Sequence, residues 1–151
     1  MTRIISSTYI ACPVEEVYNF ATTPGNWPNW HPSSIAVTGD ADHPQVVGEQ
    51  CTEEFMVAGR QGKAVWTVTE REYPSRWVIR GMVEGRSRGV VSYMLRPEGN
   101  GTRFERTFIY PRSSLRFAIL DILFIRRRVQ AESDLALQQL KDVLAKQTTP
   151  S

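Results

Sequence analysis

The chain has 151 residues, 41% hydrophobic and 23% charged, the balance of an ordinary globular protein long enough to bury a sizeable core. Its formal charge of +2 is too small to draw in nucleic acid from a distance, and the composition excludes wholesale disorder. Cys12, Cys51, His31 and His43 stand at no zinc-site spacing, so no metal is expected, and a domain of this size needs no disulfide.

No internal repeat or linker interrupts the chain, so one domain over 1–151 is expected, with 145–151 as a frayed tail. Met1-Thr2-Arg3-Ile4-Ile5-Ser6 is not a signal segment. The longest apolar stretch, Phe117 to Ile125, is broken by Asp121 and falls short of the ~20 residues of a spanning helix. The expected address is cytoplasmic.

Residues 3–11, rich in β-branched and hydroxyl side chains, predict a first strand. Cys12-Pro13-Val14-Glu15-Glu16-Val17-Tyr18 opens a helix, with Pro13 at the first helical position and two glutamates complementing the helix dipole. Val14, Val17, Tyr18 and Ala21 form its apolar face, and Thr22-Thr23-Pro24-Gly25 ends it. Trp27-Pro28-Asn29-Trp30-His31-Pro32 reads as a second short helix or turn.

From there to Tyr110 the pattern is strand-like, with strands expected at 34–39, 48–58, 62–73, 76–84, 87–97 and 102–110. Their short connections favour antiparallel hairpins. Alternation groups Ala64, Trp66 and Val68, then Trp77, Ile79 and Gly81, then Val91, Tyr93 and Leu95, then Phe104, Phe108 and Tyr110. One face of the sheet is therefore strongly aromatic and needs a cover. Ser113 to about Lys146 contains neither glycine nor proline and predicts one long helix, with Ser113 or Ser114 as its N-cap. Val129, Ala136, Leu140, Val143 and Leu144 give its second half one apolar face, while the first half is apolar nearly all round.

The ordered set of features resembles the START-like (helix-grip) superfamily, in particular its polyketide cyclase/dehydrase and lipid-transport branch. The features are Pro13 to Tyr18, Trp27-Pro28-Asn29-Trp30, Gly48 before a strand, Trp66-Thr67-Val68-Thr69-Glu70-Arg71-Glu72-Tyr73-Pro74, Gly99-Asn100-Gly101-Thr102-Arg103 and the long helix. The resemblance implies an α+β helix-grip fold: a curved antiparallel sheet of about seven strands around a long C-terminal helix, with two short helices after the first strand. It also implies a cavity for a lipid, sterol, polyketide or other apolar molecule. No invariant catalytic residue comes with it, so function must be argued from the site.

Trp30, Phe55, Trp66, Trp77, Tyr93, Phe104, Phe108, Tyr110 and Phe117, with Leu120 and Phe124 on the long helix, are the candidates for an apolar wall. Arg106 shares parity with Phe104 and Phe108, so alternation points it inward unless a bulge frees it to reach water. An inward guanidinium needs a carboxylate or a ligand anion, and Glu53 or Asp121 could supply the former. His31 is either a general base or a loop histidine. Cys51 has no base in view to make it a nucleophile. Gly-x-Ser-x-Gly and phosphate-binding glycine loops are absent, and no cofactor is implied.

Three functions fit these residues. The first is binding or transport of a small hydrophobic molecule. The second is a cyclase, aromatase or dehydratase using Glu53, His31, Tyr93 and Arg106. The third is a homodimer or partner module using the apolar half of the long helix. Arg126-Arg127-Arg128 would serve a membrane contact or simply be a solvated charge run, and one triplet makes no nucleic-acid face.

Overall fold

The computed structural model describes residues 2–57, 60–111 and 120–148, with side chains left aside at 57, 60, 86–88, 120–125 and 147–148. Strand β1 (Thr2–Ile10) leads to helix α1 (Val14–Ala21), a 3-10 turn (Pro24–Asn26) and helix α2 (Trp27–Trp30). Six strands follow: β2 (Ser34–Gly39), β3 (Gln50–Val57), β4 (Arg60–Glu72), β5 (Arg76–Val83), β6 (Arg86–Glu98) and β7 (Gly101–Tyr110). Helix α3 (Leu120–Thr148) comes last. Its length runs past Ala145, where a frayed tail is expected, and the expected Ser113 or Ser114 cap lies outside the described residues.

All seven strands join one antiparallel sheet in the order β1-β7-β6-β5-β4-β3-β2. Successive hairpins build β2 to β7, and β1 closes the sheet by pairing with β7. Register shifts in the β2–β3, β4–β5 and β5–β6 pairs bend it, since each extra residue increases local twist. The result is the curved helix-grip architecture, with α3 laid along β1.

Pro13 stands one position earlier than the sequence suggests: it flanks α1 with ψ 147°, and its carbonyl accepts the Val17 N–H at 3.1 Å. Thr22 ends the helix by donating both its N–H and its hydroxyl to the Tyr18 carbonyl. Val17, Tyr18 and Ala21 face inward as their spacing predicts. On α3 the buried stripe is Val129, Ser133, Ala136, Leu137, Leu140 and Leu144, with Val143 only half-buried. Ser133 is the polar break in that stripe.

The core concentrates at one end of the grip. Tyr18, Trp27, Trp77, Leu95, Phe104, Leu137, Leu140 and Leu144 are all buried there. Buried indole nitrogens need acceptors, and both find backbone: Trp27 Nε1 donates to the Ala21 carbonyl at 3.1 Å and Trp77 Nε1 to the Gln45 carbonyl at 3.2 Å. Gln45, itself 0% exposed, pins the β2–β3 connection to this end by donating its N–H to the Thr22 carbonyl.

Candidate functional site

The sheet register sets inner side chains in rows. Leu95 pairs with Phe104, Tyr93 with Arg106, and Val91 with Phe108, so the row containing Arg106 borders the packed core. Beyond that row the wall changes character. Phe55, Phe108 and Tyr110 are half-buried, and Trp66 is only just buried.

Three glycines explain how those rings are seated. A Cβ on Gly81 would stand 2.6–2.9 Å from the Trp66 ring, one on Gly62 2.8 Å from Phe55 Cζ, and one on Gly89 2.6 Å from Phe108 Cε1. Real Cβ atoms do not approach so closely. Each missing side chain therefore lets an aromatic ring lie against the neighbouring strand.

Arg106 is the charged centre of this region and only 8% exposed. Its Nη1 donates to Ser133 Oγ on α3 at 3.1 Å. Ser133 Oγ is 2.8 Å from Ser6 Oγ, which is 2.8 Å from Asp134 Oδ1. Each hydroxyl has one proton, so the chain reads Arg106 to Ser133 to Ser6 to the Asp134 carboxylate, every donor pointing toward the anion. Arg106 Cζ also lies 5.5 Å from the Phe108 ring centroid, a cation–π contact. Its Nε has no hydrogen-bond partner among the described residues, nor does Trp30 Nε1.

The expected Glu53–Arg106 ion pair does not form. Glu53 Oε1 instead accepts the Trp66 indole N–H at 3.0 Å, while Ser133 holds the guanidinium at the α3 side. The two groups still sense each other's charge across the bent sheet. Asp121, the other proposed partner, has its side chain outside the described residues. Its backbone precedes Ser133 on the same helix by about 18 Å of rise.

Burial raises the Glu53 carboxyl above its usual range, and the Ser34 hydroxyl, the Trp66 N–H and Arg106 oppose that shift. Burial likewise pushes Tyr93 upward against the pull of Arg106, keeping the phenol protonated at neutral pH. Burial, then Arg106, hold His31 well below its ordinary value, so the ring is neutral. The Ser33 backbone N–H lies 3.3 Å from His31 Nδ1, which makes Nδ1 an acceptor and assigns the ring proton to Nε2. Cys51 is pushed up to about 12, chiefly by burial and then by Glu53, and is an inert thiol rather than a nucleophile.

The structure thus gathers His31, Glu53, Tyr93 and Arg106, together with Trp30, whose ring centroid is 6.3 Å from that of Tyr93 and 5.8 Å from that of His31. Phe55, Trp66, Phe108 and Tyr110 line the adjoining wall. Trp77 and Phe104 stand in the packed end, joined to Tyr93 at 5.2 and 5.0 Å between centroids. Phe117 and the side chains of Leu120 and Phe124 lie outside the described residues. Sequence reading missed Ser6, Ser133 and Asp134 and the three glycine seats. A serine within an apolar helical stripe and glycines inside strands were the available signals. Among the described residues no His, Cys, Asp and Glu cluster could hold a metal, and no helix is long and apolar enough to cross a membrane.

A bent seven-stranded sheet gripping a long terminal helix, with an aromatic inner face, defines a helix-grip protein. The family model described as polyketide cyclase / dehydrase and lipid transport matches residues 1–145, and the chain belongs to that family. The protein TTHA0849 of Thermus thermophilus superposes with a TM-score of 0.81 at 15% identity, covering 98% of this chain and 100% of its own. The Aha1 protein of Colwellia psychrerythraea, solved as a dimer, gives 0.67 at 20% identity over 95% of this chain and 96% of that one. DynU16, a protein of the dynemicin biosynthetic locus, gives 0.67 at 15% identity over 95% of this chain but 47% of its own. At such identities these likenesses establish the fold. No protein of curated function matches the sequence significantly.

Proposed function

We propose that this protein binds a small, largely apolar molecule at the open end of the grip, between the aromatic wall and α3. The half-open aromatic wall carries this reading: Phe55, Phe108 and Tyr110 keep solvent access on the inner face, whereas Trp77, Tyr93 and Phe104 are closed off. An aromatic concave wall with a few fixed polar groups suits small-molecule recognition, apolar burial supplying affinity and the polar groups orientation. The family's description, which names lipid transport, agrees with it.

A second reading, cyclase or dehydratase chemistry, draws on the same description and on one observation. Glu53 is a carboxyl with a raised pKa beside a neutral phenol and a guanidinium, the setting in which a side chain can hold and release a proton. The partner-module expectation rests on side chains at 117–125, which lie outside the described residues; the run Arg126–Arg128 that follows them is exposed.

Native mass spectrometry of the purified protein, followed by denaturing extraction, tests the binding reading. A stoichiometric apolar passenger supports it and identifies its chemical class. A protein that carries nothing and ignores fatty acids, sterols and aromatics overturns it. Glu53→Gln then separates binder from enzyme: a binder retains its ligand unchanged, whereas an enzyme holds substrate but loses turnover.

A further inference from the structure

Deepening the binding reading, on which it rests, the geometry points to an acidic ligand: an apolar molecule bearing one carboxylate, seated on Arg106 with Trp30 Nε1 as a second donor.

Arg106 is buried and permanently cationic, and removing such a charge from water costs several kcal/mol unless an anion meets it. Among the described residues no carboxylate lies within ion-pair distance of it. Glu53 is committed to Trp66, and burial favours its neutral form. Asp134 is exposed, and the chain reaches it only through two hydroxyls. That chain fixes Nη1 and leaves Nε unpartnered.

A second buried nitrogen at this site has the same polarity. Trp30 Nε1 is wholly buried, can only donate, and has no partner among the described residues. Tyr93 links the two groups, lying against the Trp30 ring and opposite Arg106 in the sheet register. Tyr93 already shares a hydrogen bond with Arg106, so the donors still calling for an acceptor are Arg106 Nε and Trp30 Nε1. The carboxylate's two oxygens suit a guanidinium edge, and its single charge matches the single fixed cation. A phosphate dianion would leave one negative charge uncompensated, with neutral His31 and buried Glu53 nearby.

The test titrates the full chain at pH 7.5, by calorimetry or tryptophan fluorescence, with matched probes: dodecanoate against dodecan-1-ol, and 2-naphthoate against 2-naphthylmethanol. Each acid is expected to bind at least about tenfold more tightly than its alcohol. Arg106→Gln should collapse that ratio to near one. Ser133→Ala, which keeps the charge but frees Nη1, should lower acid affinity by about threefold to tenfold. The wild-type comparison decides the question even where Arg106→Gln fails to fold. Alcohols that bind as well as acids would overturn the carboxylate while leaving the binding reading intact. Dodecyl phosphate binding more tightly than dodecanoate would overturn the single charge. If no probe binds and extraction recovers no passenger, both readings fall.

Discussion

The two ends of the grip share one sheet and one helix yet solve different problems. At the packed end, large rings meet side chains of matching size, and both buried tryptophan nitrogens have backbone acceptors. At the open end, rings meet glycines, a guanidinium replaces an aliphatic, and the nitrogens Arg106 Nε and Trp30 Nε1 lack partners, as the oxygens Tyr18 Oη and Gln45 Oε1 do at the packed end. The same strands supply both: β7 contributes Phe104 to one end and Phe108 to the other, with Arg106 between them. On the proposed reading, stability and recognition are separated along each strand rather than between layers. Filled volume holds the fold together, and the end proposed to bind gives up some of that filling.

That division predicts unequal responses to truncation. Leu140→Ala removes a 0% exposed side chain at the packed end and should cost about 2–5 kcal/mol, read by urea unfolding. Phe108→Ala should cost less, because its ring is half-exposed, yet should weaken ligand binding far more. Equal losses of stability would erase the distinction. Gly81→Ala comes next. Its Cβ would collide with the Trp66 ring, an overpacking expected to cost about 1–3 kcal/mol. Because the collision moves the ring that holds Glu53, it should also change the near-ultraviolet dichroism of the indole. An unchanged spectrum would show that Trp66 is not seated on the glycine.

How much of this could be read from the sequence follows the same divide. Period-two alternation placed Trp66, Trp77, Tyr93, Phe104 and Arg106 on the inner face because strand side chains obey local geometry. Helical spacing likewise found Leu140 and Leu144. Partners across the fold were not legible. Glu53 and Arg106 share the inward parity that suggested an ion pair, but their separation depends on sheet curvature, and three register shifts set that. The hydroxyl chain joins Ser6 to Ser133, two residues 127 positions apart with no local pattern between them. Glycines 62, 81 and 89 read as weak strand formers until the rings above them are known.

Removing the open end's charge should reveal what it costs. Arg106→Met replaces a buried cation with an apolar chain of similar length. Without ligand, the variant is expected to be about 1 kcal/mol more stable than wild type, because no ion pair is lost. Calorimetric unfolding of protein stripped of any passenger measures this. A marked loss of stability would mean that the Arg106–Ser133 contact and its cation–π stacking outweigh desolvation, making the residue structural.

The last expected effect is a pH dependence that belongs to the open end, where His31 sits beside Arg106. His31 in the folded protein titrates well below 6.5, held there by burial and by Arg106. Below pH 6.5 the unfolded chain therefore binds a proton that the folded one does not, and stability falls as the solution is acidified. The slope can reach at most about 1.4 kcal/mol per pH unit for one proton. Glu53 acts in the opposite sense at lower pH. Its raised folded-state pKa adds stability as pH falls toward 4.5, the value of an unburied glutamate. Exposed His43, raised by Asp42 and Glu49, also opposes His31, contributing stability below 6.5 that is lost at higher pH. Comparing wild type with His31→Gln cancels both opposing groups. The difference in stability should grow in the variant's favour from pH 7 to pH 5. A difference independent of pH would show that His31 stays accessible to protons, and that the open end is wetter than its burial indicates.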